Sequence, residues 1–90
     1  MKKFRKKPIV VEAMQFDGTY DSAVAIVSWA STPFVRPHYW SNGQLFGVTI
    51  ESHYGQTTAH RDDWVIKGVN GEFYPCPPIV FAETYERLEK

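Results

Sequence analysis

The sequence predicts an α+β domain, in which one main helix packs on an antiparallel sheet that tends towards a barrel. Three observations carry this. Short runs rich in β-branched and aromatic residues recur along the chain, each bounded by Gly, Pro or Asn. A single segment carries a sustained apolar repeat at helical spacing. No internal repeat, low-complexity block or Gly/Ser linker divides the 90 residues, so residues 1–90 are expected to form one domain.

Taken in order, PIVVEAMQF follows a lysine run and stops at Asp17-Gly18. That is the pattern of a strand that is apolar on both faces except at Glu12 and Gln15. TYDSAVAIVSWAS offers helix caps at Thr19, Asp21 or Ser22, after which Ala23, Ile26, Val27 and Ala30 line one helical face. TPFVRPHYWSNG contains two prolines and an Asn-Gly step, and is expected to be irregular up to Gly43. QLFGVTIES alternates, with Phe46, Val48 and Ile50 on one face of a second strand. GQTTAH is a short polar strand joined to it through Tyr54-Gly55, and DWVIKG and EFYP are two more. In the tail, Phe81, Tyr85 and Leu88 match a helical stripe, although residues 84–88 could also pair as a strand. The expectation is a short helix over 78–83 followed by an extended end.

The densest punctuation lies in VIKGVNGEFYPCPP. Asn-Gly is the strongest short-range hairpin signal, because a type I′ turn needs φ > 0 at both central residues. With Asn70 and Gly71 at the turn, Gly68 faces Phe73, Lys67 faces Tyr74 and Ile66 faces Pro75. Trp64, Ile66, Gly68 and Phe73 then share a core face, where the Phe73 ring covers Gly68. Lys67, Val69, Glu72 and Tyr74 share the opposite, open face. Pro75, with no N–H to donate, ends the pairing. Most of the stretch is therefore fold. What remains for function is Lys67, Glu72 and Tyr74 with Cys76 alongside, although Lys67 and Glu72 could simply pair, which at a surface is worth ~0–1 kcal/mol.

A chain this short buries only about 60–65% of its unfolded surface, so its core depends on large side chains. Trp29, Trp40, Trp64, five tyrosines and six phenylalanines supply them. Ten cations balance ten acids, which gives no broad field for nucleic acid or an anionic membrane. The balance is local, however: MKKFRKKP is wholly basic and AETYERLEK mainly acidic. The one cysteine excludes an internal disulfide framework, which suits the cytosol. Glu12 and Gln15 interrupt any signal-peptide core, and AVAIV falls far short of a bilayer span. A soluble intracellular protein is expected.

Two segments carry a resemblance. KKFRKKPIVVEAMQF and DDWVIKGVNGEFYPCPPIVFAETYE, about half the chain, resemble a group of short phage and prophage proteins of unassigned function. Their pattern runs Lys-Lys-Pro, Val-x-Val-Glu-Ala-x-Gln-aromatic, then Gly-Asp-aromatic-Ile-x-Gly-x-x-Gly-Glu-Phe-Tyr-Pro-Cys, then Phe-x-x-Thr-Tyr-Glu. Asp62 stands here where the pattern has a turn glycine, which brings the tight glycine–aspartate turn itself into question. The resemblance implies a phage origin and an accessory, non-virion role.

Chemistry-bearing constellations are few. His38, His53 and His60 form no i,i+3 or i,i+4 pair, and no second cysteine completes a zinc knuckle, so no metal is expected. Cys76 sits between prolines without a visible cation to lower its pKa, the setting of an inert thiol. No nucleophile elbow or phosphate loop is present, and neither an enzyme nor a cofactor is expected. The basic start could clamp phosphates, or be a frayed lead-in that keeps an edge strand from pairing with other molecules. RPHYWSNG gathers Arg36, His38, Tyr39 and Trp40, residue types that favour binding, although Trp40 and Phe34 could equally cap the core.

The functional expectation is a non-catalytic phage accessory protein of the host cytoplasm that sequesters a small anionic ligand, such as a signalling nucleotide of host defence. Such a pocket stacks a base on an aromatic and holds phosphate with Arg or Lys. The expected ligand-binding sets are Arg36 with Trp40 and Lys67 with Tyr74, brought together across subunits if the protein is a homo-oligomer. The alternatives are a module that inhibits a host protein through the Trp40 loop or a sheet edge, and a minor structural or assembly protein of the phage. No specific nucleic acid or membrane partner is expected.

Overall fold

A computed structural model describes residues 1–5 and 7–88. The elements follow in the order β1 (Glu12–Gln15), α1 (Tyr20–Ala30), β2 (Val35–Tyr39), β3 (Leu45–Ser52), β4 (Gly55–Ala59), β5 (Trp64–Lys67), β6 (Phe73–Cys76) and α2 (Pro78–Thr84). The strands form two antiparallel sheets, β1-β5-β6 and β2-β3-β4. The fold is α+β, and the sheets stay separate rather than closing into a barrel.

Helix α1 starts where the sequence offers its first cap. Thr19 Oγ1 accepts the Ser22 N–H at 3.1 Å, and Asp17 accepts both the Thr19 N–H (2.9 Å) and hydroxyl (2.6 Å). Hydrogen bonds from the Thr19 hydroxyl and N–H hold the Asp17 carboxyl below its ordinary pKa. The helix ends at Ser31, whose φ of 53° is the left-handed geometry that glycine usually fills. Ala23, Ile26 and Ala30 face inward, where they meet Phe16, Val35, Val48, Ile50, Ala59 and Val65 in the main core.

Three sequence expectations are corrected. The stretch from Thr32 to Gly43 is not irregular, because β2 lies within it. The Glu51 N–H donates to the Phe34 carbonyl at 2.9 Å, so pairs 34/51 and 36/49 are the hydrogen-bonded ones. Pro37 therefore turns its missing N–H to the open edge, the one place in a sheet that tolerates proline.

The register of the β5–β6 hairpin differs by one residue from expectation. Lys67 pairs with Phe73, Ile66 with Tyr74, Val65 with Pro75 and Trp64 with Cys76. Gly68 and Glu72 close the loop: the Gly68 N–H donates to the Glu72 carbonyl (2.7 Å) and the Gly71 N–H to the Gly68 carbonyl (3.0 Å). Only Gly71 takes a positive φ, 84°, so the loop has three residues and ends in a glycine bulge rather than forming a type I′ turn. The β2–β3 loop repeats this arrangement, with Trp40 and Gln44 closing it and Gly43 at φ 87°. The one-residue shift exchanges the faces. Phe73 and Lys67 now share a side, Tyr74 lies opposite, and the Glu72 carboxylate, not the Phe73 ring, lies over Gly68.

A second bulge, between His38 and Tyr39, interrupts the β2–β3 register. It brings Leu45 against the core and turns Phe46 away from Val48 and Ile50. The turn before β5 is tight although Asp62, not glycine, stands in it. Asp62 adopts φ 74°, the Asp63 N–H donates to the His60 carbonyl (3.0 Å), and the Asp63 carboxylate accepts the His60 N–H (2.9 Å). Aspartate is one of the few side chains that visit this region.

The first sheet is covered on both faces. Its inner face, with Met14, Val65 and Phe73, meets the core, and Trp29 stands edge-on to Phe73 at 5.5 Å. Its outer face lies under α2 and the residues after it. Phe81 stacks on Trp64 at 4.2 Å and 9°, Tyr85 follows Phe81 at 5.0 Å, and Ile66 is fully buried beneath. The short helix and non-helical residues 85–88 agree with the sequence expectation; Glu89 and Lys90 lie outside the described residues.

Candidate functional site

Among the described residues no helix packs on the outer face of the second sheet. Pairs across an antiparallel sheet share a face. The register therefore sets Arg36, Thr49 and Thr58 in one row, with His38 and Gly47 in the next; by extension of the Val48–Ala59 pair, His60 joins that second row. Gly47 is required here, since a side-chain carbon would run into the Ala59 carbonyl and the Thr58 methyl. Into this row the bulge delivers Phe46. Its ring meets His38 at 5.1 Å, His60 at 5.1 Å and Trp40 at 4.3 Å, each edge-on. Four rings thus form one cluster on an uncovered sheet, and Trp40 keeps 54% of its surface exposed.

Polar groups hold the cluster in place. His38 Nδ1 lies 2.8 Å from the Thr49 hydroxyl, itself buried, which fixes the imidazole and leaves Nε2 for an outside partner. His60 Nδ1 lies 3.8 Å from the Asp63 carboxylate. Arg36, one residue pair away, is bound to Glu51. The face thus presents Trp40 and Phe46 as stacking surfaces, with the two imidazoles and the Arg36 guanidinium beside them.

A second concavity lies between the sheets: an open cleft of about 590 Å³ with Ala30, Phe34, Val35 and Phe73 as its apolar wall. Lys67 is the cation of its lining, against the acids Glu51 and Glu72, with His53 at the rim. Its charge does not favour an anion.

The expected sets are thus divided. Arg36 and Trp40 belong to the same sheet region, although each has its own partner, Glu51 and Phe46. Lys67 and Tyr74 do not share a face within one chain, because the corrected register puts them on opposite sides of the first sheet. Tyr74 lies under the tail, and burial, with a hydrogen bond to Tyr85, pushes its hydroxyl up to about 12. Cys76 is buried, and desolvation raises its thiol, which keeps it protonated and unreactive. Sequence reasoning missed Phe46 and His60. Alternation puts Phe46 on one face with Val48 and Ile50 because it cannot reveal a bulge; the adjacent Gly47, in an otherwise full strand, is the available signal. Among the described residues no group of three or more His, Cys, Asp or Glu is placed to hold a metal ion, and no helix is long and apolar enough to cross a membrane. Comparison of the chain with family models, curated proteins and solved structures finds no match.

Proposed function

We propose that the protein is a non-catalytic binding module that captures a small planar anion, such as a nucleotide, on the outer face of β2-β3-β4. The observation that carries this is the uncovered cluster of Trp40, Phe46, His38 and His60. Stacking of a base on an aromatic ring is worth ~1–3 kcal/mol. The exposed indole supplies that surface, and His38 Nε2 with the remaining N–H groups of Arg36 supplies donors for phosphate. Together with the resemblance to phage proteins, this supports an accessory role in the host cytoplasm, where a nucleotide signal of host defence is the ligand.

Thermal-shift screening of cyclic mono- and dinucleotides and ADP-ribose derivatives tests this. A hundredfold excess of ligand over Kd stabilises the folded state by about 2.7 kcal/mol. Trp40→Ala should abolish the shift and leave the unliganded melting temperature nearly unchanged. A second reading, blockade of a host protein, draws on the free edge of β2, where Phe34, Tyr39 and Trp40 are exposed. A stoichiometric host partner that depends on Trp40, with no response to any nucleotide, would replace the first reading with the second.

A further inference from the structure

We infer that β1 is a dimerisation edge, and that its occupant is β1 of a second copy. β1 lies at the end of its sheet and pairs only with β5. The Phe16 N–H donates to the Asp63 carbonyl, so alternate N–H groups from Phe16 back along the strand point to β5. Those of Ala13 and Gln15 point out, with no backbone partner among the described residues; the Gln15 carbonyl on that edge accepts the Ser22 hydroxyl at 3.3 Å, so the open part of the edge runs from Ala13 back towards the N-terminus. Before β1 the chain runs past the end of β5 as an apolar segment without a covering element: Ile9 is 48% and Val10 73% exposed. An edge open at Ala13 and continued by exposed β-branched residues is a template for another strand.

Charge selects a second copy as that strand. Residues 1–7 hold five cations and no acid, while the whole chain balances ten against ten; the other 83 residues therefore carry a net charge of −5. Antiparallel pairing about a two-fold axis sends the basic arm of each copy past the far end of its partner's β1. There the chain presents Asp17, and Asp62 and Asp63 lie alongside, with Arg61 the cation among them. The same geometry keeps the two arms apart. With pairing centred near residue 11, residue 5 of one copy lies ~40 Å from its counterpart at ~3.4 Å per residue, well beyond the ~8 Å screening length of physiological salt. The cations thus act as a docking arm and not as a guard.

Sedimentation equilibrium of the full chain at rising concentration, in low and high salt, tests the inference. The expected species has twice the 10.4 kDa chain mass, and salt weakens it. Ile9→Pro, outside the core, should raise the dimer dissociation constant about tenfold or more through lost pairing. Asp62→Asn should weaken it less while keeping the turn. In the unsubstituted protein the Val11 and Ala13 amides should gain protection from hydrogen exchange as concentration rises, which reads the edge independently of any variant. A monomer at every concentration would overturn the inference. So would a dimer indifferent to Ile9→Pro with unprotected Val11 and Ala13 amides, or an arm that binds oligonucleotide while the protein stays monomeric.

Discussion

Both sheets carry aromatic residues on their outer faces, and they use them differently. On the first sheet Trp64 is stacked under Phe81, Tyr85 continues the layer, and Ile66 is sealed from water. On the second, Trp40, Phe46, His38 and His60 meet edge-on, and among the described residues no helix packs over them. The difference is the tail. Pro78 stands at the first turn of α2, where its fixed φ suits a helix start, and directs the chain back across the first sheet. Among the described residues no comparable segment crosses the second sheet. An aromatic layer with a cover stabilises the fold; one without a cover, fixed by Thr49 and by a bulge, is available to a partner.

The sharpest way to break this comparison is to truncate one tryptophan on each side. Trp64→Ala removes the stack with Phe81 and opens the layer over Ile66, which should cost about 3 kcal/mol and lower Tm by more than ~10 °C. Trp40→Ala should cost less than ~1 kcal/mol, as exposed substitutions do. Equal losses at both positions, read by thermal denaturation, would erase the distinction between the two faces.

The loops test the registers that create the faces. Gly71→Val and Gly43→Val each force a β-branched residue to a φ above 80°, at about 1–2 kcal/mol apiece. Asp62→Gly should act oppositely and stabilise by up to ~1 kcal/mol, because the strained aspartate is relieved while the backbone bonds of the turn remain. Denaturant titration resolves both signs.

The smallest effect concerns how the cover is held. Tyr74 has an ordinary pKa of 10 and a folded value of about 12. A group whose folded pKa is raised lends stability that is complete below its unfolded pKa and is lost as pH rises through the folded one. Stability should therefore decline between pH 10 and about 12, and Tyr74→Phe should remove this part of the decline. The Asp17 carboxyl works in the other direction: its folded pKa is lowered, so its contribution is complete above 3.8 and fades as pH falls below that.

Much of the fold was legible in the sequence because it rests on local rules. Thr19 as cap, the Ala23–Ile26–Ala30 stripe and the short proline-initiated helix follow from capping, periodicity and the fixed φ of proline. What could not be read was decided by single backbone steps. A three-residue loop at Asn70-Gly71 in place of a two-residue one exchanged the faces of Lys67 and Tyr74 and dissolved that expected pair. One bulged residue turned Phe46 away from the face of Val48 and Ile50 to the outer face of the sheet, where it is half-buried. An edge strand accepted Pro37 because its N position faced outward. In each case the composition fits both alternatives, and the register of a hairpin, which alternation alone does not fix, decides between them.

The central claim is that the open aromatic face of β2-β3-β4 is the binding surface. It is tested most directly by a two-dimensional NMR titration of the labelled protein with the nucleotide that gives the largest thermal shift. The indole N–H of each tryptophan serves as a separate reporter. The account predicts that the Trp40 indole and the backbone amides of Phe46, Gly47 and His60 shift together and saturate, while the Trp64 indole stays in place. Saturating shifts centred on Trp64 and Phe81, or on the Lys67 cleft with Trp40 unmoved, would contradict it.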